Sequence, residues 1–144
     1  MQLRDIMTLE VRVISVGATV RDAATKMDDE NVGALPVFDG DRMVGIVTDR
    51  DIVIRSTAAG QDPARVLVRD VMTAPVTYAF ADQTIEEGAA IMKQDYVRRL
   101  PILDADYRLV GMVSADDLMI EIPGRPSPGA DVFRKLGEVE RPGL

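Results

Sequence analysis

Apolar and polar positions along this chain switch between a period of two and a period near 3.6, and they do so twice in the same order. Val11 to Val16 and Val76 to Phe80 are short, partly alternating segments, the pattern of half-buried strands. Thr19-x-x-Asp22 and Thr84-x-x-Glu87 follow as capping boxes, a hydroxyl and a carboxylate spaced to satisfy the free N–H groups of a first helical turn. Behind these caps Val20, Ala23, Ala24 and Met27, and again Ile85, Ala89 and Met92, predict one apolar stripe per helix. Val32 to Phe38 and Val97 to Leu103 read as strands, each interrupted by a proline, which places that strand at an edge or the proline at a strand start. Asp39-Gly40-Asp41 and Asp104-Ala105-Asp106 supply turn residues before the return strands Met43 to Val47 and Leu109 to Val113. Second helices are predicted over Asp49 to Ala59, stopped by Gly60 and Pro63, and over Ala115 to Glu121, stopped by Pro123.

The repetition extends to residue identities. Arg4-Asp5-Ile6-Met7-Thr8 returns as Arg69-Asp70-Val71-Met72-Thr73, 65 positions later, and Leu35-Pro36 returns as Leu100-Pro101 at the same offset. Beyond the turn the offset is 66: Val44-Gly45-Ile46-Val47-Thr48 aligns with Val110-Gly111-Met112-Val113-Ser114. One added residue between two strands is what a hairpin loop tolerates. The fold class that follows is α/β (α+β), two tandem β-α-β-β-α repeats. A three-stranded unit has too few elements to cover both sheet faces, so the copies are expected to pack as a pseudo-two-fold pair with two equivalent clefts. The expected division is 1–62, 63–122 and a Pro/Gly-rich linker and tail over 123–144. The tail is read as extended at 122–129, with a short helix over Asp131 to Glu138.

Composition narrows the chemistry. His and Cys are both absent, which removes Cys/His zinc sites, thiol nucleophiles, disulfides and imidazole bases. Lys plus Arg number 17 against 24 Asp plus Glu, a formal charge of −7, and only 4% of residues are aromatic, so a nucleic-acid partner is not expected. No apolar run approaches a membrane span and Met1 to Ile6 shows no secretory signal, so the chain is read as soluble and cytoplasmic. Asp28-Asp29-Glu30 reads as a solvated helix end, Asp39-Gly40-Asp41 as a turn without the remaining ligands of a calcium loop, and Met7 and Met72 as packing anchors. No base and metal constellation for catalysis is present, and the chain is read as a non-enzyme.

The candidate chemistry sits where a strand ends and a helix opens. Gly45-x-x-Thr48-x-x-Asp51 and Gly111-x-x-Ser114-x-x-Asp117 share one pattern. Its plain reading is a capping box. The same geometry also lets a hydroxyl at a helix mouth donate to a phosphate oxygen, while a carboxylate one turn in accepts both hydrogens of a ribose diol. The copies differ in charge: Arg98-Arg99 stands where Gly33-Ala34 does, and Arg50 is replaced by Asp116. A guanidinium can grip phosphate bidentately, so the two sites should treat phosphorylated ligands unequally; the alternative is a solvated or salt-bridged arginine pair.

The ordered block of Asp-Ile-Met-Thr and Asp-Val-Met-Thr starts, Leu-Pro pairs and Gly-x-x-[Thr/Ser]-x-x-Asp ends resembles a tandem pair of CBS domains, a Bateman module, over residues 1–122. Within that family it is similar to small stand-alone bacterial two-CBS proteins of stress or hypoxia responses. The resemblance implies a regulatory, energy-sensing module that binds an adenosyl ligand between its repeats and signals by conformational change. It implies AMP, ADP, ATP, S-adenosylmethionine or NAD as ligand, with or without Mg2+, no required cofactor, a homodimer, and a regulated protein that the sequence does not identify. By position, Thr48 and Ser114 would face phosphate and Asp51 and Asp117 would hold ribose hydroxyls. Val11, Val13, Ala34 and Pro36, with Val76, Tyr78, Arg99 and Pro101, would line the base; each is also an ordinary packing position. The competing reading is a structural or oligomerisation module with no physiological nucleotide.

Overall fold

The computed structural model describes residues 1–119; the tail expectations, and the end of the helix predicted to reach Glu121, lie outside them. The chain divides into two compact units, only one of them a contiguous segment. That one is Arg12–Val76; the other joins Met1–Val11 to the described residues from Thr77. The sequence repeats and the compact units are therefore offset, because each copy of the Arg-Asp-[Ile/Val]-Met-Thr segment folds with the other repeat's strands.

In Arg12–Val76 the elements are β1 (Ile14–Ser15), α1 (Val20–Glu30), β2 (Ala34–Asp39), β3 (Arg42–Thr48), α2 (Asp49–Ile52), a π-helical turn (Val53–Thr57) and α3 (Val68–Val71). The sheet order is β1-β2-β3, with β1 parallel and β3 antiparallel to β2. Helix α1 opens at Thr19, whose Oγ1 accepts from Asp22 N–H at 3.1 Å while Asp22 Oδ2 accepts from Thr19 N–H at 3.1 Å, the reciprocal pair that the sequence signals. It closes on Asn31 with φ 53°, a left-handed cap that asparagine tolerates. Val20, Ala23 and Met27 are buried against Leu35, Val37 and Val47; Ala24 points to solvent, so the stripe is narrower than its sequence suggests.

Segment 66–73 clasps this unit. Val20 N–H donates to Val66 O (2.8 Å), Val68 N–H to Ala18 O (2.8 Å), and Thr73 exchanges two backbone bonds with Ile46 (2.8 and 3.0 Å). Val68 and Val71 are buried in its core.

The other unit repeats the plan with β4 (Ala79–Phe80), α4 (Ile85–Asp95), β5 (Arg99–Leu103), β6 (Leu109–Ser114) and α5 (Ala115–Leu118), sheet order β4-β5-β6. Its clasp is the opening segment. A 3-10 turn over Leu3–Asp5 places Leu3, fully buried, against Gly88 of α4; Leu3 N–H donates to Gln83 O (2.8 Å), and Thr8 exchanges two backbone bonds with Met112 (2.9 and 3.0 Å).

Several elements differ from the sequence reading. The first strand of each copy is two residues long, not five or six, because β1 and β4 pair only with the far half of their neighbours. The helix expected over Asp49 to Ala59 keeps its regular hydrogen bonds to Ile52 and continues as a π turn, with Ala58 N–H bonded to Val53 O at 2.8 Å. Both prolines lie inside central strands rather than at a strand start. Pro36 faces Ile46, whose own N–H and C=O are turned away to Thr73, so Pro36 is in a pair that exchanges no bonds. On its other side β1 reaches only Val37 and Phe38. Pro101 repeats this opposite Met112, which is bonded to Thr8, while β4 reaches only Ile102 and Leu103. The missing donor is thus never required, and each strand is locally an edge where its proline sits.

Glycines complete the match between clasp and sheet. A Cβ on Gly45 would lie 2.6 Å from Met72 Sδ and 3.0 Å from Thr73 O, and one on Gly111 would lie 2.7 Å from Met7 Cγ. The repeated methionine and the repeated glycine are thus one contact, seen once per unit.

Candidate functional site

The ends of β3 and β6 deliver a hydroxyl to each helix mouth. Thr48, extended at φ −114° and ψ 162°, is the N-cap of α2. Its Oγ1 accepts from Asp51 N–H at 3.1 Å, and Asp51 Oδ2 accepts from Thr48 N–H at 2.9 Å. Ser114 caps α5 in the same way: its Oγ accepts from Asp117 N–H at 3.2 Å, and Asp117 Oδ2 accepts from Ser114 N–H at 2.8 Å. The capping-box reading therefore holds in both copies. It leaves each hydroxyl proton uncommitted by the box and uses one of the two carboxylate oxygens.

Sheet register sets the neighbours. Ala34 is the register partner of Thr48, and Asp49 N–H donates to Gly33 O at 3.0 Å. Arg99 is the register partner of Ser114, and Ala115 N–H donates to Arg98 O at 2.7 Å. The sequence-selected residues thus gather as Ala34, Thr48 and Asp51 in one unit and Arg99, Ser114 and Asp117 in the other. Pro36 and Pro101 are buried one pleat further along their strands.

Val13 is half-buried and its carbonyl accepts from the Lys26 ammonium; Val76 is half-buried at the end of its unit. Val11 is half-buried at the end of the opening segment. Tyr78 lies edge-on to Phe80 at 5.6 Å between ring centroids, and Phe80 in turn to Tyr107 at 5.4 Å. Arg50 is exposed on the first turn of α2. Arg98 has Nη2 3.9 Å from Asp116 Oδ1, an exposed and weak ion pair.

Two residues at the first site escaped the sequence reading. Thr73 donates from Oγ1 to Asp51 Oδ1 at 3.2 Å, and Arg55 holds Nε 4.0 Å from the same oxygen. Arg55 also donates through Nη1 to Val71 O (3.1 Å) and Met72 O (2.9 Å). Arg55 is legible in principle, four residues beyond Asp51 on one helical face. Thr73 is not, being 22 residues away and delivered by the clasp.

Fold and site together define a duplicated α/β module whose repeated polar feature is a capped helix mouth. The family model described as CBS domain matches residues 3–56 and 68–124, and the chain belongs to the CBS-domain family, with two copies. It is similar to the CBS domain-containing protein YhcV of Bacillus subtilis, 36% identical over 128 residues, 89% of this chain and 90% of that protein. It is also similar to Hypoxic response protein 1 of Mycobacterium tuberculosis, 37% identical over 121 residues, 83% of this chain and 84% of that protein. A solved structure of Hypoxic Response Protein I with two coordinated zinc ions is 36% identical, with a TM-score of 0.75, covering 85% of this chain and all of that one. The hexameric CBS-CP12 protein of bloom-forming cyanobacteria aligns at 28% identity with a TM-score of 0.76, over 96% of this chain and 84% of that one.

The zinc ions belong to that relative. This chain has neither His nor Cys, and among the described residues no group of three or more acidic side chains could hold a metal ion. Among the described residues no helix is long and apolar enough to cross a membrane. A CBS-domain pair matched along nearly its whole length by stand-alone CBS proteins is consistent with a regulatory module.

Proposed function

We propose that the protein is a regulatory module that binds an adenosyl ligand (AMP, ADP, ATP, S-adenosylmethionine or NAD) at its two capped helix mouths. Thr48 and Ser114 donate to phosphate, Asp51 and Asp117 accept the ribose hydroxyls, and Ala34, Pro36, Arg99 and Pro101 lie on the adjoining strands. The observation that carries this reading is the recurrence of the hydroxyl and carboxylate pair in both units, each with a hydroxyl proton and a carboxylate oxygen that the cap does not use. Binding favours one conformation by its differential affinity, and a homodimer presents the result to a regulated protein.

A second reading, a structural or oligomerisation module, draws on the completeness of the caps, which satisfy their own backbone donors without any ligand. Thermal denaturation separates the two. Ligand at about 100 times its Kd stabilises by roughly 2.7 kcal/mol, a Tm rise of several degrees for a chain of this size. The regulatory reading expects that rise with at least one of the five compounds, reduced by Asp51→Ala or Asp117→Ala. A flat response to all five at millimolar concentration supports the structural reading. Mass spectrometry of small molecules that copurify with the protein would name the ligand.

A further inference from the structure

Asp51 and Asp117 stand at matching places in their helices, but their second oxygens are not in matching surroundings. Asp51 Oδ1 accepts the Thr73 hydroxyl at 3.2 Å and has Arg55 Nε at 4.0 Å. The Asp51 side chain is only 12% exposed, so this outer oxygen is where a diol would have to approach. Arg55 fixes the arrangement from the other side, because its two bonds to Val71 O and Met72 O tie the residues just before Thr73 to the turn that follows Asp51. In the other unit the backbone is reproduced, with Thr8 paired to Met112 as Thr73 is to Ile46. Thr8 is nevertheless exposed, and the bond that Asp117 accepts runs from Ser114 N–H to Oδ2. The sequence supplies the reason: at the offset of 66, Glu121 occupies the position of Arg55, and an ionised acid neither donates to carbonyls nor pairs with a carboxylate.

We propose that Thr73 and Arg55 form a latch over Asp51, which makes the two diol sites unequal and couples one of them to the segment between the repeats. The Ser114–Asp117 site fills first. The Thr48–Asp51 site accepts a vicinal diol only when the Thr73 hydroxyl turns away, and that release loosens segment 68–73. This inference rests on the ribose role proposed for the two aspartates and adds an order of filling and a mechanical consequence.

The test is calorimetric titration of the whole chain with AMP, ADP, ATP, S-adenosylmethionine and NAD, combined with hydrogen–deuterium exchange. Two binding steps are expected, with Asp117→Asn removing the tighter and Asp51→Asn the weaker. Thr73→Val, which keeps the backbone pairing to Ile46, tightens the weaker step about ten- to hundredfold, the scale of one hydrogen bond to a charged group. Saturating nucleotide accelerates amide exchange over 68–73 but not over 3–8, and Thr73→Val or Arg55→Gln raises the 68–73 rate without nucleotide. If Asp51→Asn removes the tighter step, or Thr73→Val leaves the weaker step unchanged, the latch is wrong while the ribose role survives. If both aspartate variants bind like the parent, or none of the five compounds binds, the ribose role fails and the latch with it.

Discussion

Replacing Gly111 by alanine tests the contact on which each clasp depends. The new methyl would sit 2.7 Å from Met7 Cγ and 2.9 Å from Met7 Cβ, and nearer still to Sδ. A thioether end can swing aside, but Met7 Cβ moves only with its backbone, which is held by Thr8 on Met112 (2.9 and 3.0 Å) and by Leu3 on Gln83 (2.8 Å). Overpacking of this kind costs about 1–3 kcal/mol, and the gain from a stiffer unfolded chain returns about 0.5–1 kcal/mol. The expected net loss is therefore about 0–2.5 kcal/mol and centred near 1 kcal/mol, a Tm drop of roughly 3–5 °C at the centre. Thermal melts of the parent, Gly111→Ala, Met7→Gly and the double variant would measure it. Removing the whole Met7 side chain, Cβ included, relieves the clash, so the cycle should show an interaction energy of at least about 1 kcal/mol, well outside the ~0.5 kcal/mol spread of independent sites. Gly17→Ala is the internal control, since its methyl would meet nothing closer than Arg69 Nη2 at 3.7 Å. A Gly111→Ala protein melting above the parent, or an additive cycle, refutes the reasoning.

Leu3→Ala should cost about 2–5 kcal/mol, as expected for a fully buried leucine, and exchange protection should fall over 77–118 while 12–76 is spared. Tyr96→Gly should raise Tm by a few degrees, because Tyr96 closes α4 at φ 54° and is 74% exposed, so relief of the left-handed conformation outweighs lost packing. Asp51→Ala and Asp117→Ala should each destabilise by about 1 kcal/mol in ligand-free melts, the usual worth of a cap partner; no change in either would mean the capping bonds are not held in solution.

Much of the fold is legible because it rests on local signals. The Thr19 cap, the Asp39-Gly40-Asp41 turn and the position of the inserted residue between β5 and β6 all follow from short-range spacing. The hydroxyl and carboxylate pairs at Thr48–Asp51 and Ser114–Asp117 are legible for the same reason. What stays hidden is long-range. Nothing within a few residues of Pro36 tells that β1 is too short to need its donor. Nothing near Asp51 announces Thr73, and the exchange of clasps between repeats leaves no trace in periodicity. The π turn is equally silent, because apolar spacing over Asp49 to Ala59 is compatible with either helical pitch.

The crossed membership of the two clasps has a consequence for biogenesis. During synthesis, residues 12–76 are complete once Val76 has left the ribosome, so that unit can close first. Leu3 and Met7 are made before it yet must wait, unpartnered, for α4 and β6 to be translated. A fragment for expression should therefore be cut at residues 12 and 76, because a boundary drawn at the end of the first repeat strands two hydrophobic anchors and removes two others from their sheet.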